Sequence, residues 1–374
     1  MASIQKRPDG KWRARYRDAD GREHSRHFSR KIDGQAWLDE VTASVVTGMY
    51  VDPDAGRLTF SDYWQQWSSR QIWVRGTKES ADQAAAGATF SRRRMNTIKR
   101  GHIESWIKGM TAGERPLAPS TIRTRYNYVS MSFRAAVRDR VISVDPTAGV
   151  RLPRARRAEH TMVIPTPGQV RAALDHAAPE HRALVAVCAF AGLRLGEAAG
   201  LRADDLDAAA GLLSVRRQVQ GTNVATAEVV PPKAGSERVI AVPAELVDIL
   251  RKHVEAVGTI RAEGYLFTSG GHLLNRSSAG HIWRMIRKRA GLPAEYTLHT
   301  LRHFYASALI AAGCDVVTVQ RALGHAQPSI TLNTYSHLWN TAEDRTRAAT
   351  ADLMKTVLDT TRGPMADREQ PTAP

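Results

Sequence analysis

Cysteine is scarce and long apolar runs are missing. Only Cys188 and Cys314 occur in 374 residues, too few for a disulfide framework and in keeping with reduced core thiols in a cytosolic protein. The longest near-apolar stretch, ALVAVCAFAGL from Ala183 to Leu193, is too short to span a bilayer. The N-terminus, MASIQKRPDGKWR, lacks the apolar centre of a secretion signal. No P-loop motif or carboxylate cluster is present, so neither nucleotide-driven nor carboxylate-metal chemistry is indicated, and no segment repeats at a fixed period. Acidic residues are also short. Lys and Arg number 53 against 37 Asp and Glu, for a net charge of +16. A surface that basic favours a polyanion, because each phosphate neutralised releases condensed counterions.

A chain this long exceeds one typical core, so two or three domains are expected. Residues 1–50 read as three strands and a helix. In KWRARYRDADGREHSRHF, Trp12, Ala14 and Tyr16 alternate with Arg13, Arg15 and Arg17, the period of a strand with one apolar and one arginine face. PDG and DADG supply turns. A helix follows over about 32–47, with Ala36, Trp37 and Val41 on its apolar side. Such a ribbon fits a DNA major groove, whereas its bland counterpart is a solvated edge sheet.

VDPDAGRLTFSDY reads as a linker into a helical bundle over 57–148, rich in aromatics (Tyr63, Trp64, Trp67, Trp106, Tyr126, Tyr128, Phe133). PSTIRTRYNYVSMSFRAAV opens with Pro and Ser at a helix start. Arg92, Arg93, Arg94, Lys99 and Arg100 form a basic cluster that could lie on phosphates. A basic linker over 149–161 carries Arg151, Arg154, Arg156 and Arg157. The largest unit, 162–358, is mostly helical with a short β-insert, and 359–374 has the composition of a disordered tail.

Four stretches of that unit could carry chemistry. AGLRLGE sets Arg194 between glycines that would let a phosphate approach, with Glu197 one turn on. Glu197 and Asp205 read as structural, orienting Arg194 and nearby backbone. PPKAGSERVIAVP places Lys233 at the tip of a hairpin. HTLRH puts His299, Arg302 and His303 within one helical turn. His299 and His303 have the spacing of a zinc pair, but Thr300 stands where a metalloprotease has glutamate and no third ligand is evident. LGHAQPSITLNTYSHL brings His325 and, ten residues later, Tyr335. Each residue alone has an ordinary explanation: a salt bridge, a solvated loop tip, a packed ring.

Taken in order, Arg194, Lys233, His299, Arg302, His325 and Tyr335 resemble the active-site set of the tyrosine recombinases, the phage integrase family. Thr300 stands where the family often has aspartate. The resemblance implies a mainly α fold with small β elements: a three-stranded arm-binding sheet with its helix, a helical core-binding bundle and a mixed, mostly α catalytic domain. It implies a site-specific recombinase that cuts and rejoins DNA through a 3′-phosphotyrosine at Tyr335, integrating a phage or mobile element and, with an accessory factor, excising it. Arg194 and Arg302 would clamp the phosphate oxygens, Lys233 protonate the leaving 5′-oxygen, His299 take the tyrosine proton and His325 bond a phosphate oxygen. No metal or other cofactor is required. The implied partners are duplex DNA at core and arm sites, a homotetramer passing through a Holliday junction, a host DNA-bending protein and an excisionase, in the cytoplasm of a bacterial host. The helix after Thr341 would place Leu353, Met354 and Val357 on a neighbouring protomer. Competing readings are a type IB topoisomerase, which has no use for the N-terminal sheet, and a catalytically silent DNA-binding regulator, which has no use for the full residue set.

Overall fold

A computed structural model describes residues 2–18, 21–47, 50–52, 54–112, 115–154, 162–233, 236–339 and 342–359. The chain divides into two units, 1–161 and 162–374. Arg156, Arg157, Thr341 and the tail beyond 359 lie outside the described residues. No helix among the described residues is long and apolar enough to cross a membrane.

The first unit opens with β1 (Ser3–Lys6), β2 (Trp12–Arg17) and β3 (Glu23–Phe28), an antiparallel sheet in that order, followed by α1 (Lys31–Val46). Gly10 turns the first hairpin at φ +79°, a value that suits glycine. Ala14 and Tyr16 are buried against α1, while Arg13 and Arg17 are exposed. Arg15 is half-buried, its Nε donating to Ser3 Oγ at 2.8 Å. Ala36 faces solvent instead of the sheet. Gly34, Trp37, Leu38 and Val41 pack there, and an added Cβ on Gly34 would sit 2.7 Å from Ile4 Cδ1. The close approach of helix to sheet selects glycine and moves the apolar stripe off Ala36.

Four further helices follow in this unit: α2 (Phe60–Ser68), α3 (Arg75–Ala86), α4 (Arg100–Thr111) and α5 (Pro119–Arg138). Thr59 begins α2 with a capping box to Asp62, and Pro119 opens α5 where a missing N–H costs nothing. Their core is aromatic, with Phe60, Trp64, Trp67, Phe90, Trp106 and Phe133 buried together. Arg92, Arg93, Arg94, Lys99, Arg100, Arg151 and Arg154 are exposed.

The second unit begins with α6 (Pro167–Asp175), α7 (Pro179–Phe190) and α8 (Leu195–Ala199). Every residue of α7 from Ala183 to Ala189 is buried, which explains why this apolar stretch has no clean periodicity. Five short strands follow: β4 (Leu206–Asp207), β5 (Leu212–Val215), β6 (Gln218–Gln220), β7 (Glu228–Val230) and β8 (Arg238–Ala241). They form two sheets, β4-β5-β8 and β6-β7. Lys233 therefore lies on the connection from one sheet to the other, not at the tip of a hairpin, because β7 and β8 pair with different strands. α9 (Ala244–Val257), a β9 (Thr268–Ser269) and β10 (His272–Leu273) hairpin, and α10 (Arg276–Arg289) lead to α11 (Leu298–Ala311), α12 (Val316–Leu323), α13 (Pro328–Tyr335) and α14 (Ala342–Asp359). α7 packs between α9 and α11 at the centre of the main core. A smaller core joins Ala306 and Ile310 of α11, Val319 and Leu323 of α12, and Tyr335.

Candidate active site

The site is built around the end of α12. Asp315 starts that helix by accepting the N–H groups of Val317 and Thr318. Gly324 ends it in the left-handed conformation, φ +62°. The last carbonyls of a helix have no partner within it and carry the negative end of its dipole. Here three arginines supply the donors. Arg238 Nε donates to Ala322 O at 2.9 Å, Arg302 Nη2 to Leu323 O at 2.5 Å and Arg194 Nη2 to Gly324 O at 3.1 Å.

The same guanidiniums gather on Glu197, which is 2% exposed. Its Oε1 accepts from Arg194 Nη1 at 2.6 Å, its Oε2 from Arg238 Nη2 at 2.9 Å, and Arg302 Nη1 lies 4.0 Å away. Burial pushes the Glu197 pKa up, but Arg238 and Arg194 outweigh it and the net shift is downward. One carboxylate against three guanidiniums leaves positive charge in excess, as a site for an anion requires. Burial and the neighbouring Arg194 bring Arg302 down to about 9, so it stays charged at neutral pH. Each guanidinium has five N–H groups, so donors remain after these contacts.

The glycines of AGLRLGE are filled by protein. Gly192 has φ +61° and an added Cβ would meet Tyr305 Cδ1 at 2.4 Å, while one on Gly196 would meet Val219 O at 2.9 Å. They serve packing and hold the Gly192 carbonyl, which accepts from Arg302 Nη1 at 2.5 Å. They are not an open approach for phosphate.

Tyr335 closes α13 and is 1% exposed. Its ring packs in the small core, and its hydroxyl lies 2.7 Å from His303 Nδ1. Burial raises the phenol to about 12, opposed by Arg302 and Arg194. Burial, His299 and Arg302 hold His303 down at about 4. His299 keeps an exposed edge and sits edge-on to His303, ring centroids 4.7 Å apart. Its pKa is also lowered, by partial burial and then by Arg302 and Arg194. His325, likewise lowered to about 4 by burial and the arginines, lies 2.9 Å from Thr331 Oγ1 through Nδ1. Lys233 is exposed, and its carbonyl accepts from Ser236 N at 3.0 Å.

Thus Arg194, Arg302, His325 and Tyr335 converge around one helix end, His299 stands behind the contact ring, and Lys233 stays on an outer loop. Two participants escape a reading of the sequence alone. Arg238 looks like an ordinary strand residue in SERVIAVP, and no local signal marks it. His303 carries a usable one: four residues after His299, it falls on the same face of α11.

Geometry and sequence comparison agree on the class. Residues 166–341 match the model of the phage integrase family, and residues 2–47 match the model of a phage integrase N-terminal domain, together more than half the chain. The chain belongs to the phage integrase family, the tyrosine recombinases. Among curated relatives, it is 27% identical over 244 residues to a XerC-like tyrosine recombinase of Caldanaerobacter subterraneus subsp. tengcongensis, covering 58% of this chain and 62% of that protein. In fold it is similar to the Tn1549 transposon integrase in complex with a circular intermediate DNA, with TM-score 0.67, 20% identity, and 79% of this chain and 99% of that one covered. It is also similar to a lambda integrase tetramer bound to a Holliday junction, with TM-score 0.56, 17% identity, and 87% and 96% covered.

Proposed function

We propose that this chain is a site-specific DNA recombinase that integrates a phage or other mobile element, with Tyr335 as its nucleophile. One observation carries the reading: the Tyr335 hydroxyl is hydrogen-bonded to a histidine beside arginines that are locked in place with donors to spare. Attack on a DNA phosphodiester builds charge on the non-bridging oxygens, and preorganised Arg194 and Arg302 stabilise it. The Tyr335 oxygen bonds to phosphorus as the bond to the 5′-oxygen breaks, leaving a 3′-phosphotyrosine. Lys233, on its outer loop, delivers a proton to that 5′-oxygen, and His325 bonds a phosphate oxygen. The tyrosine proton passes to the His303–His299 pair, with His303 in contact and His299 behind it. A second strand's 5′-hydroxyl reverses the step, so neither ATP nor a metal is consumed.

Arg13, Arg15 and Arg17 form the arm-site face in this reading. Arg93, Arg94, Lys99, Arg151 and Arg154, together with Arg156 and Arg157, follow the phosphates of the core site. Strand exchange would run in a tetramer on two sites, as the lambda integrase assembly on a Holliday junction supports by fold. A host DNA-bending protein and an excisionase would complete integration and excision.

The test begins with duplexes selected by the protein from random DNA. A nicked copy of the selected site should yield a denaturant-stable adduct with the wild type and none with Tyr335→Phe. An adduct that persists in the variant would overturn the assignment. Recombination between two separate sites then distinguishes this activity from relaxation of one duplex.

A further inference from the structure

We propose that Thr331 is a positioning residue that fixes the tautomer of His325 and links it to the docking of the helix that carries Tyr335. The inference rests on reading His325 as a phosphate-binding group. Thr331 Oγ1 lies 2.9 Å from His325 Nδ1, and Thr331 is fully buried. It stands four residues before Tyr335, so the two share one face of α13. Leu332 and Asn333 between them are exposed. The buried face of this short helix therefore makes two polar contacts, Thr331 to His325 and Tyr335 to His303.

A phosphate oxygen only accepts hydrogen bonds, so a histidine that binds it must present an N–H. Burial and three nearby arginines keep His325 neutral at physiological pH, and a neutral imidazole has a single N–H. Were that proton on Nδ1, Nε2 would turn a lone pair toward the phosphate. A threonine hydroxyl can donate to Nδ1, and the proton then stays on Nε2, where phosphate can use it. Because the donor sits on α13, the phosphate site is complete only while the nucleophile's helix is docked. If α13 moves away, His325 loses its partner and Tyr335 leaves the arginines in the same motion.

The test uses the full chain with 15N-labelled histidine. Two-bond proton–nitrogen correlations report the tautomer of His325, assigned by its disappearance in His325→Gln. Wild type and Thr331→Ser should carry the proton on Nε2, whereas Thr331→Val, equal in shape but without a donor, should show a mixture. On the nicked selected duplex, Thr331→Val should form adduct about tenfold more slowly, the loss expected for one hydrogen bond, and Thr331→Ser should restore the rate. A wild-type proton on Nδ1, or Thr331→Val cleaving at the wild-type rate, overturns the proposal. Should Thr331→Val fail to fold, the wild-type tautomer and the behaviour of Thr331→Ser decide it. Adduct formation by Tyr335→Phe would instead sink the nucleophile assignment, leaving the tautomer measurement to stand on its own.

Discussion

Tyr335 and His303 form an uncharged pair at rest. A phenol at about 12 does not hand its proton to an imidazole at about 4 without help. In the proposed mechanism ionisation must therefore accompany bond formation, with the histidine acting on a proton whose acidity would rise as the oxygen bonds to phosphorus. The depressed histidines also govern stability. His303 and His325 ionise at about 4 in the folded protein and at about 6.5 when unfolded. The unfolded chain takes up protons first on acidification, so their contribution is complete above pH 6.5 and is lost as pH falls toward 4. Tyr335 works in the opposite direction, its contribution holding below pH 10 and fading as pH rises toward 12. The melting temperature of the second unit should drop by roughly 5 °C between pH 7 and pH 5, after allowance for the rings' partial solvent contact. The double variant His303→Gln/His325→Gln should flatten that slope. A wild-type melting temperature independent of pH across this range would count against the buried, neutral histidines.

At the level of the element, the end of α12 organises the site. Three successive carbonyls, each unable to find a partner within the helix, bring Arg238, Arg302 and Arg194 to one place. The left-handed cap at Gly324 makes this possible. An added Cβ there would lie 2.8 Å from Arg238 Nη1. Gly270 offers a control, with φ +58° and nothing within 4 Å of its added Cβ. Both Gly→Ala changes should cost about 1 kcal/mol for the backbone conformation. Only Gly324→Ala should also slow adduct formation, by about tenfold or more, because it displaces a guanidinium that shares Glu197 with Arg194. Equal cleavage by the two variants would show that the cap does not position the arginines. Glycine after an apolar run is a general helix-stop signal, and Gly324 fills that role here. Nothing local announced that arginines from 21 to 130 residues away would serve the same carbonyls.

Across the whole molecule, the two units bury their cores separately and the charge is spread over both. The last helix, α14, leaves Leu353, Met354 and Val357 exposed at 64%, 57% and 59%. An apolar stripe of that kind costs free energy in water and gains by burial on another chain. Truncation before Thr341 should leave a folded protein that still binds a single selected site but no longer assembles on paired sites or recombines them. Analytical ultracentrifugation with DNA reads the first effect and a two-site assay the second. Unchanged assembly after truncation would remove this helix from the interface.

The sequence by itself determined the small N-terminal sheet, because period-two alternation with glycine turns permits little else, and it singled out the candidate set Arg194, Lys233, His299, Arg302, His325 and Tyr335. Its view of α1 failed at Ala36, since helix periodicity gives a face but not which residue the sheet approaches most closely. It also failed at Lys233, since two strands flanking a turn read as a hairpin until their partners are known. Only the tertiary structure decided that His303 is the ring against Tyr335 and that Arg238 joins Glu197. Those contacts depend on where α11, β8 and α12 meet, and long-range packing leaves no trace in the spacing of neighbouring residues.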